Sequence, residues 1–305
     1  MQLIQGTTEF ELAQPSAVSI GKFDGIHRGH KQLLDRIIRR KADGMQAVVF
    51  TFDPPPTVFF GKDPVRSVTT QMEKRRIFER IGIDVLIEFP LTADTAAMSP
   101  EKFVESVLVG RMHTSYVAAG TDVSFGAGGR GDYALLASLG KRYGFAVEIL
   151  DKICVDGREI SSSFVREELE KGNMERVAEL IGAPYSITGT VVHGRRLGRT
   201  LGMPTVNLIP EADKLLPPKG VYYSQVSYRG NHYRSISNIG CKPTVSNENV
   251  MGVETYLYDF EEDIYGKDII VNLFSFKRPE MKFASLEELK HQMQKDIAEG
   301  AKWGL

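Results

Sequence analysis

Apolar residues in the first half of the chain fall into short runs separated by segments of helical period. AVSIG at 17–21, AVVFTF at 47–52, VLIEF at 85–89, SYVAA at 115–119 and AVEIL at 146–150 read as buried strands. After the first of these, Leu33, Leu34, Ile37 and Ile38 recur at helical spacing before Gly44. Thr70-x-x-Glu73 has the form of a capping box and opens a helix carrying Ile77, Phe78 and Ile81. Ser99-Pro100 supplies an N-cap and a first helical position, and 132–144 reads as a further helix. Strand and helix in alternation predict a parallel sheet covered on both faces through right-handed crossovers. Two short helices, ending at Gly172 and Gly182, close this half.

At Ala183-Pro184 the period changes. SITGTVV, TVNLI, GVYYSQVSY, YRSISNIG, GVETYLYDF and DIIVNLFSF alternate apolar and polar positions between turns rich in Gly, Pro, Asn and Asp. Many short strands of this kind predict an antiparallel sandwich or barrel. A last helix starts near Ser285, with Leu286, Leu289 and Met293 on one face. The expected domains are therefore residues 1–182 and 183–305.

Composition narrows the function. The 305 residues carry 38 Lys+Arg and 39 Asp+Glu, a formal net charge of -1. Residues 183–305 hold 15 basic and 14 acidic residues and the remainder 23 and 25, so neither half is a hidden basic module. That balance argues against duplex nucleic acid or an anionic membrane as a partner. The first residues lack the basic and apolar regions of a secretory signal, and no run of about 18 apolar residues is present. A cytoplasmic protein is expected. Cys154 and Cys241 form no disulfide framework or metal-ligand spacing and read as partly buried thiols.

The densest chemistry lies in Ser19-Ile-Gly-Lys-Phe-Asp-Gly-Ile-His-Arg-Gly-His30, between the first strand and the first helix. A parallel sheet binds ligands at the carboxyl ends of its strands, and a helix start there offers open N–H groups to phosphate. His27 and His30, three apart, fall on one face of the first turn and can donate to phosphate oxygens. A two-histidine metal pair is the alternative, but no third ligand sits nearby in sequence. Neither a G-x-G-x-x-G fingerprint nor a Walker loop occurs in this half. In the second half, Gly194-Arg-Arg-Leu-Gly-Arg-Thr-Leu-Gly-Met-Pro-Thr-Val-Asn207 joins a glycine loop to a strand. Thr205 and Asn207, two apart, share one side of that strand and offer hard oxygen donors suited to Mg²⁺.

Gly21-Lys-Phe-Asp-Gly-Ile-His-Arg-Gly-His30 resembles the H-x-G-H signature of the nucleotidylyltransferases, in particular the FMN adenylyltransferase module of bacterial FAD synthetases. Thr51-Phe-Asp-Pro54, Gly120-x-Asp122-x-x-Phe125-Gly126 and Ile160-Ser-Ser-Ser-x-x-Arg166 are similar to further elements of that family. The chain departs from it at Pro55, where the family has His, and at Val123, where it has an aromatic residue. The second half resembles the riboflavin kinase module through the 194–207 loop, Asn238-Ile-Gly-x-x-Pro-Thr244, Val253-Glu-x-Tyr-Leu-x-Asp259, Tyr265-Gly-Lys267 and Arg278-Pro-Glu280. The joint resemblance, to bacterial bifunctional riboflavin kinase/FMN adenylyltransferases, implies a Rossmann-like α/β domain followed by a six-stranded antiparallel barrel with a flanking helix.

It also implies substrates and roles. ATP, riboflavin, FMN and FAD would be bound, with Mg²⁺ as the metal, in a monomer or weak homo-oligomer. ATP would lie against Gly21, Phe23, Asp24, Gly29, Ser161, Ser162 and Ser163 in the first domain and Gly198, Arg199 and Gly202 in the second. His27, His30 and Arg166 would serve adenylyl transfer, and Glu254 would be the base for the ribityl hydroxyl. Flavin would meet Asp53, Pro54, Asp122 and Phe125 in the first domain, and Asn238, Thr244 and Arg278 in the second. Thr205 and Asn207 would hold the metal. A chain retaining only the kinase, or a flavin sensor without turnover, are the rival readings.

Overall fold

The computed structural model describes the chain except for residues 62–65, 195–196, 244–248 and 305. It divides into two compact units, Met1–Ser162 and Ser163–Leu305. In the first unit the elements are β1 (Gln2–Gln5), β2 (Ser16–Ile20), α1 (Arg28–Arg39), β3 (Gln46–Asp53), α2 (Pro56–Phe59), α3 (Gln71–Ile81) and β4 (Val85–Pro90). They continue with α4 (Ala93–Ala96), α5 (Pro100–Phe103), β5 (Thr114–Gly120), α6 (Tyr133–Tyr143), β6 (Ala146–Leu150) and the hairpin β7 (Cys154–Val155) and β8 (Arg158–Glu159). The main sheet is six-stranded and parallel, in the order β1-β4-β3-β2-β5-β6. Alternate strand residues feed two cores. Val18, Phe50, Ile87 and Val117 pack with Phe103 and Leu136 on one face; Ala17, Val49, Leu86 and Ala118 pack with Leu34, Ile37 and Phe78 on the other.

This strand order positions a site. From β2 the chain moves outward to β3 on one side, and β5 lies on the other, so the order reverses between β2 and β5. Loops leaving the carboxyl ends of such a strand pair diverge and leave a crevice between them. The loops in question are 21–27 after β2 and 121–131 after β5. The capping box of Thr70 and Glu73 forms as expected, and Asp24 Oδ1 accepts from the N–H of Thr69, tying the start of α3 to the loop after β2.

The second unit begins with α7 (Ser162–Lys171) and α8 (Met174–Ile181), then β9 (Tyr185–Val192), α9 (Leu197–Thr200), β10 (Thr205–Leu208), β11 (Gly220–Tyr228), β12 (Asn231–Pro243), β13 (Asn249–Leu257), β14 (Asp268–Pro279) and α10 (Leu286–Lys302). Six strands close into an antiparallel barrel in the order β10-β13-β12-β11-β14-β9. Closure leaves no sheet edge, which settles the choice between sandwich and barrel that the strand pattern left open. The barrel interior is partly polar yet satisfied: Ser224 Oγ lies 2.8 Å from the hydroxyls of Ser235 and Ser237, and Ser237 lies 2.8 Å from Thr255.

The unit boundary at Ser162/Ser163 precedes the change of sequence period at 183. Met174, Val177 and Leu180 of α8 are fully buried, and the helix packs on β9 and β14, so it groups with the barrel. Two expectations are corrected. Leu286 is 60 % exposed, and α10 buries Asp296 and Gly300 instead. The helix docks through ion pairs of Asp296 with Arg278 and Lys277, and by Gly300 lying against Ile236 and Tyr258. Cys154 and Cys241 are exposed rather than partly buried. The strand β1 and the β7–β8 hairpin, too short to carry a pattern of their own, were not anticipated.

Candidate functional sites

In the first unit His27 is the N-cap of α1, and its Nδ1 accepts the backbone N–H of His30 at 3.3 Å. The two imidazoles stack, with centroids 3.7 Å apart and planes 17° apart. Gly29 lies between them in sequence; a Cβ there would come within 3.2 Å of the His27 ring, which would have to give by a few tenths of an ångström. Burial holds His27 down at about 4, with the charge of Asp122 acting in the opposite sense. Burial, then the charges of His27 and Lys74, hold His30 well below its ordinary value. Both rings are therefore neutral at pH 7. The pair stands at the positive end of α1, where helix geometry leaves the first N–H groups open to an anion.

The other expected residues of this unit are placed unevenly. Asp122 stands in the loop after β5 with Oδ2 3.3 Å from Lys152 Nζ, near enough for its charge to act on His27. Ser162 Oγ donates to the carbonyl of Asp24, which joins the serine run to the glycine loop. Gly21 donates its N–H to Phe50 and so continues the sheet. Asp53 and Pro54 are exposed at the carboxyl end of β3. Phe23 and Phe125, expected against ligands, are instead core residues at 0 % and 2 % exposure. Phe23 packs between His30 and Phe78, and Phe125 against Phe103, so each ring supports a loop from beneath. Ser163 and Arg166 lie on α7 and group with the second unit.

The capping box marks α3 in the sequence, but no motif marks a site residue on it. Its Lys74 is 7 % exposed and bears on His30. Gln71 Nε2, on the same helix, and Ser19 Oγ, near the end of β2, are buried without a hydrogen-bond partner. A lysine inside an amphipathic pattern reads as a solvated charge; only packing shows otherwise.

In the second unit one register row crosses the barrel wall. Asn207 of β10 opposes Glu254 of β13, Glu254 opposes Asn238 of β12, Asn238 opposes Val221 of β11, and Val221 opposes Arg278 of β14. Directly opposed residues share a face of the sheet. Val253 and Thr255, flanking Glu254, are buried at 0 % and 1 % with the serine ladder inside, so the row lies on the outer face. Thr205, two residues from Asn207, donates its hydroxyl to Glu254 Oε1 at 2.6 Å.

The loop between β9 and β10 covers this end of the row. A Cβ on Gly198 would stand 2.4 Å from the Met203 carbonyl and 3.2 Å from Thr205 Oγ1. Arg199 belongs to α9, and Gly202 follows in the left-handed region at φ 80°. At the far end of the row Arg278 is held by Asp296, with Nη2 2.5 Å from Oδ2. Beyond it an open hollow of about 420 Å³ is lined by Met281, Phe283, Glu287, Glu288, His291 and Gln292, none of them singled out by motif. Thr244 lies outside the described residues.

Among the described residues no cluster of three or more His, Cys, Asp or Glu forms a metal cage, and no helix is long and apolar enough to cross a membrane. The donor set at Thr205 and Asn207 still fits Mg²⁺, which binds few protein oxygens when substrate phosphates complete its shell. The Thr205 hydroxyl gives its one proton to Glu254 and keeps its lone pairs.

Comparison with known proteins follows the same division. Residues 9–164 match the family model for FAD synthetase and residues 181–303 that for riboflavin kinase. The chain is 35% identical over 302 residues to the bifunctional riboflavin kinase/FMN adenylyltransferase of Haemophilus influenzae, covering 97% of each chain. It is 36% identical over 301 residues to the Escherichia coli K12 protein of the same name, covering 97% of this chain and 96% of that one. Among solved structures, one titled a macrolide-efflux protein from Streptococcus pneumoniae matches with a TM-score of 0.85 and 28% identity, covering 99% of both chains.

Proposed function

The chain belongs to the bifunctional riboflavin kinase/FMN adenylyltransferase family, and from that premise we propose how its residues divide the two reactions. One reaction transfers the γ-phosphoryl of ATP to riboflavin, giving FMN. The other transfers AMP from ATP to FMN, giving FAD and pyrophosphate. Both are displacements at phosphorus, in which positioning and charge stabilisation do most of the catalysis.

The observation that carries the division is that each compact unit holds its own constellation: the stacked histidines in one, the Thr205–Glu254 contact in the other. In the kinase unit Glu254 takes the proton of the terminal ribityl hydroxyl as the new P–O bond forms. Asn207 and Asn238 flank that carboxylate on neighbouring strands. Thr205 and Asn207 would hold Mg²⁺, which neutralises phosphate charge when bound. Gly198, Arg199 and Gly202 belong to the loop over the phosphates, while Arg278, Thr244 and the adjoining hollow serve the flavin.

In the adenylyltransferase unit His27 and His30 donate N–H groups to the phosphates of ATP, and the first turn of α1 adds backbone donors. Ser161 and Ser162 belong to the same nucleotide site. Asp53, Pro54 and Asp122 serve the flavin, with Phe23 and Phe125 bracing the loops. A cytoplasmic setting, as a monomer or weak homo-oligomer without nucleic-acid or membrane partners, completes the proposal; the need for ATP in both reactions supports the compartment. Incubation with riboflavin, ATP and a magnesium salt, followed by chromatographic resolution of the flavins, tests the reading. FMN appears first and FAD follows. FMN alone would confine activity to the kinase unit, and flavin binding without any product would leave only a sensor.

A further inference from the structure

Two imidazoles stacked 3.7 Å apart repel one another strongly if both are charged. Their place at the positive end of α1 and their burial oppose protonation as well. Since His27 Nδ1 accepts the His30 N–H, the proton of the neutral His27 ring sits on Nε2, which is left as a donor. The neutrality of this pair is what a bound polyphosphate threatens: several negative charges beside an imidazole favour the imidazolium.

One buried cation offsets that pull. Lys74, 7 % exposed, sits on α3 three residues after Gln71 and four before Phe78. Phe78 meets Phe23 edge-on at 5.6 Å and Phe23 meets His30 at 5.2 Å, so the face of α3 that carries Lys74 is turned toward His30. Lysine is seldom buried unless a specific interaction holds it there. Other charges stand around the pair: Glu73, buried beside Lys74 on α3, accepts the N–H of Thr70, and Asp24 of the loop after β2 accepts that of Thr69. Lys31 of α1 lies within reach of Arg80 of α3, and Asp122, from the loop after β5, is paired with Lys152 and acts on His27.

Resting on the reading that this unit transfers adenylyl groups, we propose that Lys74 is a positioning residue of that reaction, a buried cation behind the histidine pair that keeps both rings neutral N–H donors while polyphosphate is bound. It acts through His30 and not by touching the reacting atoms.

The test uses the full chain and measures kcat for FAD formation from FMN and ATP between pH 5 and 8.5. In Lys74→Met the acid limb of the profile moves up by about one pH unit, as expected for loss of one neighbouring like charge. The ratio of rates at pH 5 and pH 8 then falls by about twofold or more, and KM for FMN at pH 8 changes little. Lys74→Arg restores the wild-type profile because the charge remains. A uniform loss at every pH in Lys74→Met would mark a purely structural lysine and overturn the proposal.

A second measurement does not depend on a variant folding. The imidazole C2–H signals of the wild-type protein, recorded with an ATP analogue carrying a methylene bridge between the α and β phosphorus atoms, stay in the neutral form at pH 6 for His27 and His30. Titration of both near 6.5 in that complex would also overturn it. His27→Ala separates the two levels of the argument. If that variant makes FAD at the wild-type rate, the functional reading of the unit fails; if it abolishes FAD while the Lys74 profiles coincide with wild type, the Lys74 role alone fails.

Discussion

The hydroxyl of Thr205 donates to Oε1 of Glu254 at 2.6 Å, across two neighbouring strands and 49 residues of sequence. One short contact thereby joins a residue of the phosphate-side strand to the carboxylate assigned to the flavin hydroxyl. It orients the carboxylate of Glu254.

Glu254→Gln keeps shape and hydrogen bonding but removes the base. Riboflavin phosphorylation is expected to drop by about two or more decades, the usual worth of a positioned general base. FAD synthesis from supplied FMN stays near wild type, and riboflavin affinity, followed by quenching of flavin fluorescence, is retained. A kinase rate within about threefold of wild type would remove Glu254 from that role.

Changing both His27 and His30 to alanine removes the stacked donors. Loss of even one such donor costs about 10²–10³ in rate, so FAD formation collapses while FMN formation from riboflavin continues. Separate assays on the folded double variant read the two activities. Equal loss of both would contradict the division.

Gly198→Ala probes the loop over Thr205. The added Cβ would stand 2.4 Å from the Met203 carbonyl, a backbone atom that cannot rotate away. The loop must shift relative to Thr205, and misplacement by about 1 Å can cost about 10²-fold. The expected result is a loss of kinase kcat/KM for ATP with adenylyl transfer unchanged; a kinase of normal efficiency would show that the loop is not held against the phosphates.

The histidine pair also makes stability depend on pH. His27 is held at about 4 against an ordinary 6.5. Below pH 6.5 the unfolded chain takes up a proton that the folded chain refuses, so stability falls as pH drops toward 4, by about 3 kcal/mol from this group, and is unaffected by it above 6.5. His30 acts in the same direction. His27→Asn keeps an N-cap acceptor and removes the titration. Scanning calorimetry at pH 7 and 4.5 should show a smaller drop in midpoint for this variant than for wild type; equal drops would refute the assignment.

Where the second unit starts can be read from fragments. Met174, Val177 and Leu180 of α8 are fully buried, and burying each such side chain contributes about 1.5–3 kcal/mol. A fragment of residues 163–305 should therefore unfold several degrees above one of residues 183–305, and riboflavin phosphorylation should survive in the longer piece. Identical midpoints would return the boundary to Ala183.

Much of this molecule is local and so is written in the sequence. Strand runs such as AVVFTF, the capping box at Thr70, the N-cap at Ser285 and the helix-closing glycines each depend on neighbours a few residues away, and each forms where the pattern puts it. The glycine-rich loops and the pairs His27/His30 and Thr205/Asn207 are likewise legible, because a three-residue step on a helix and a two-residue step on a strand fix a common face. What the tertiary structure decided depends on residues distant in sequence. Register brought Glu254 between Asn207 and Asn238, and closure of the barrel put that row on the outer face. Packing buried Lys74 behind His30, turned Phe23 and Phe125 into the core, and drew α8 to the barrel. On α10 it left Leu286 exposed and docked the helix through the Asp296–Arg278 pair, since the helical period marks which residues can share a side but not which partner waits there.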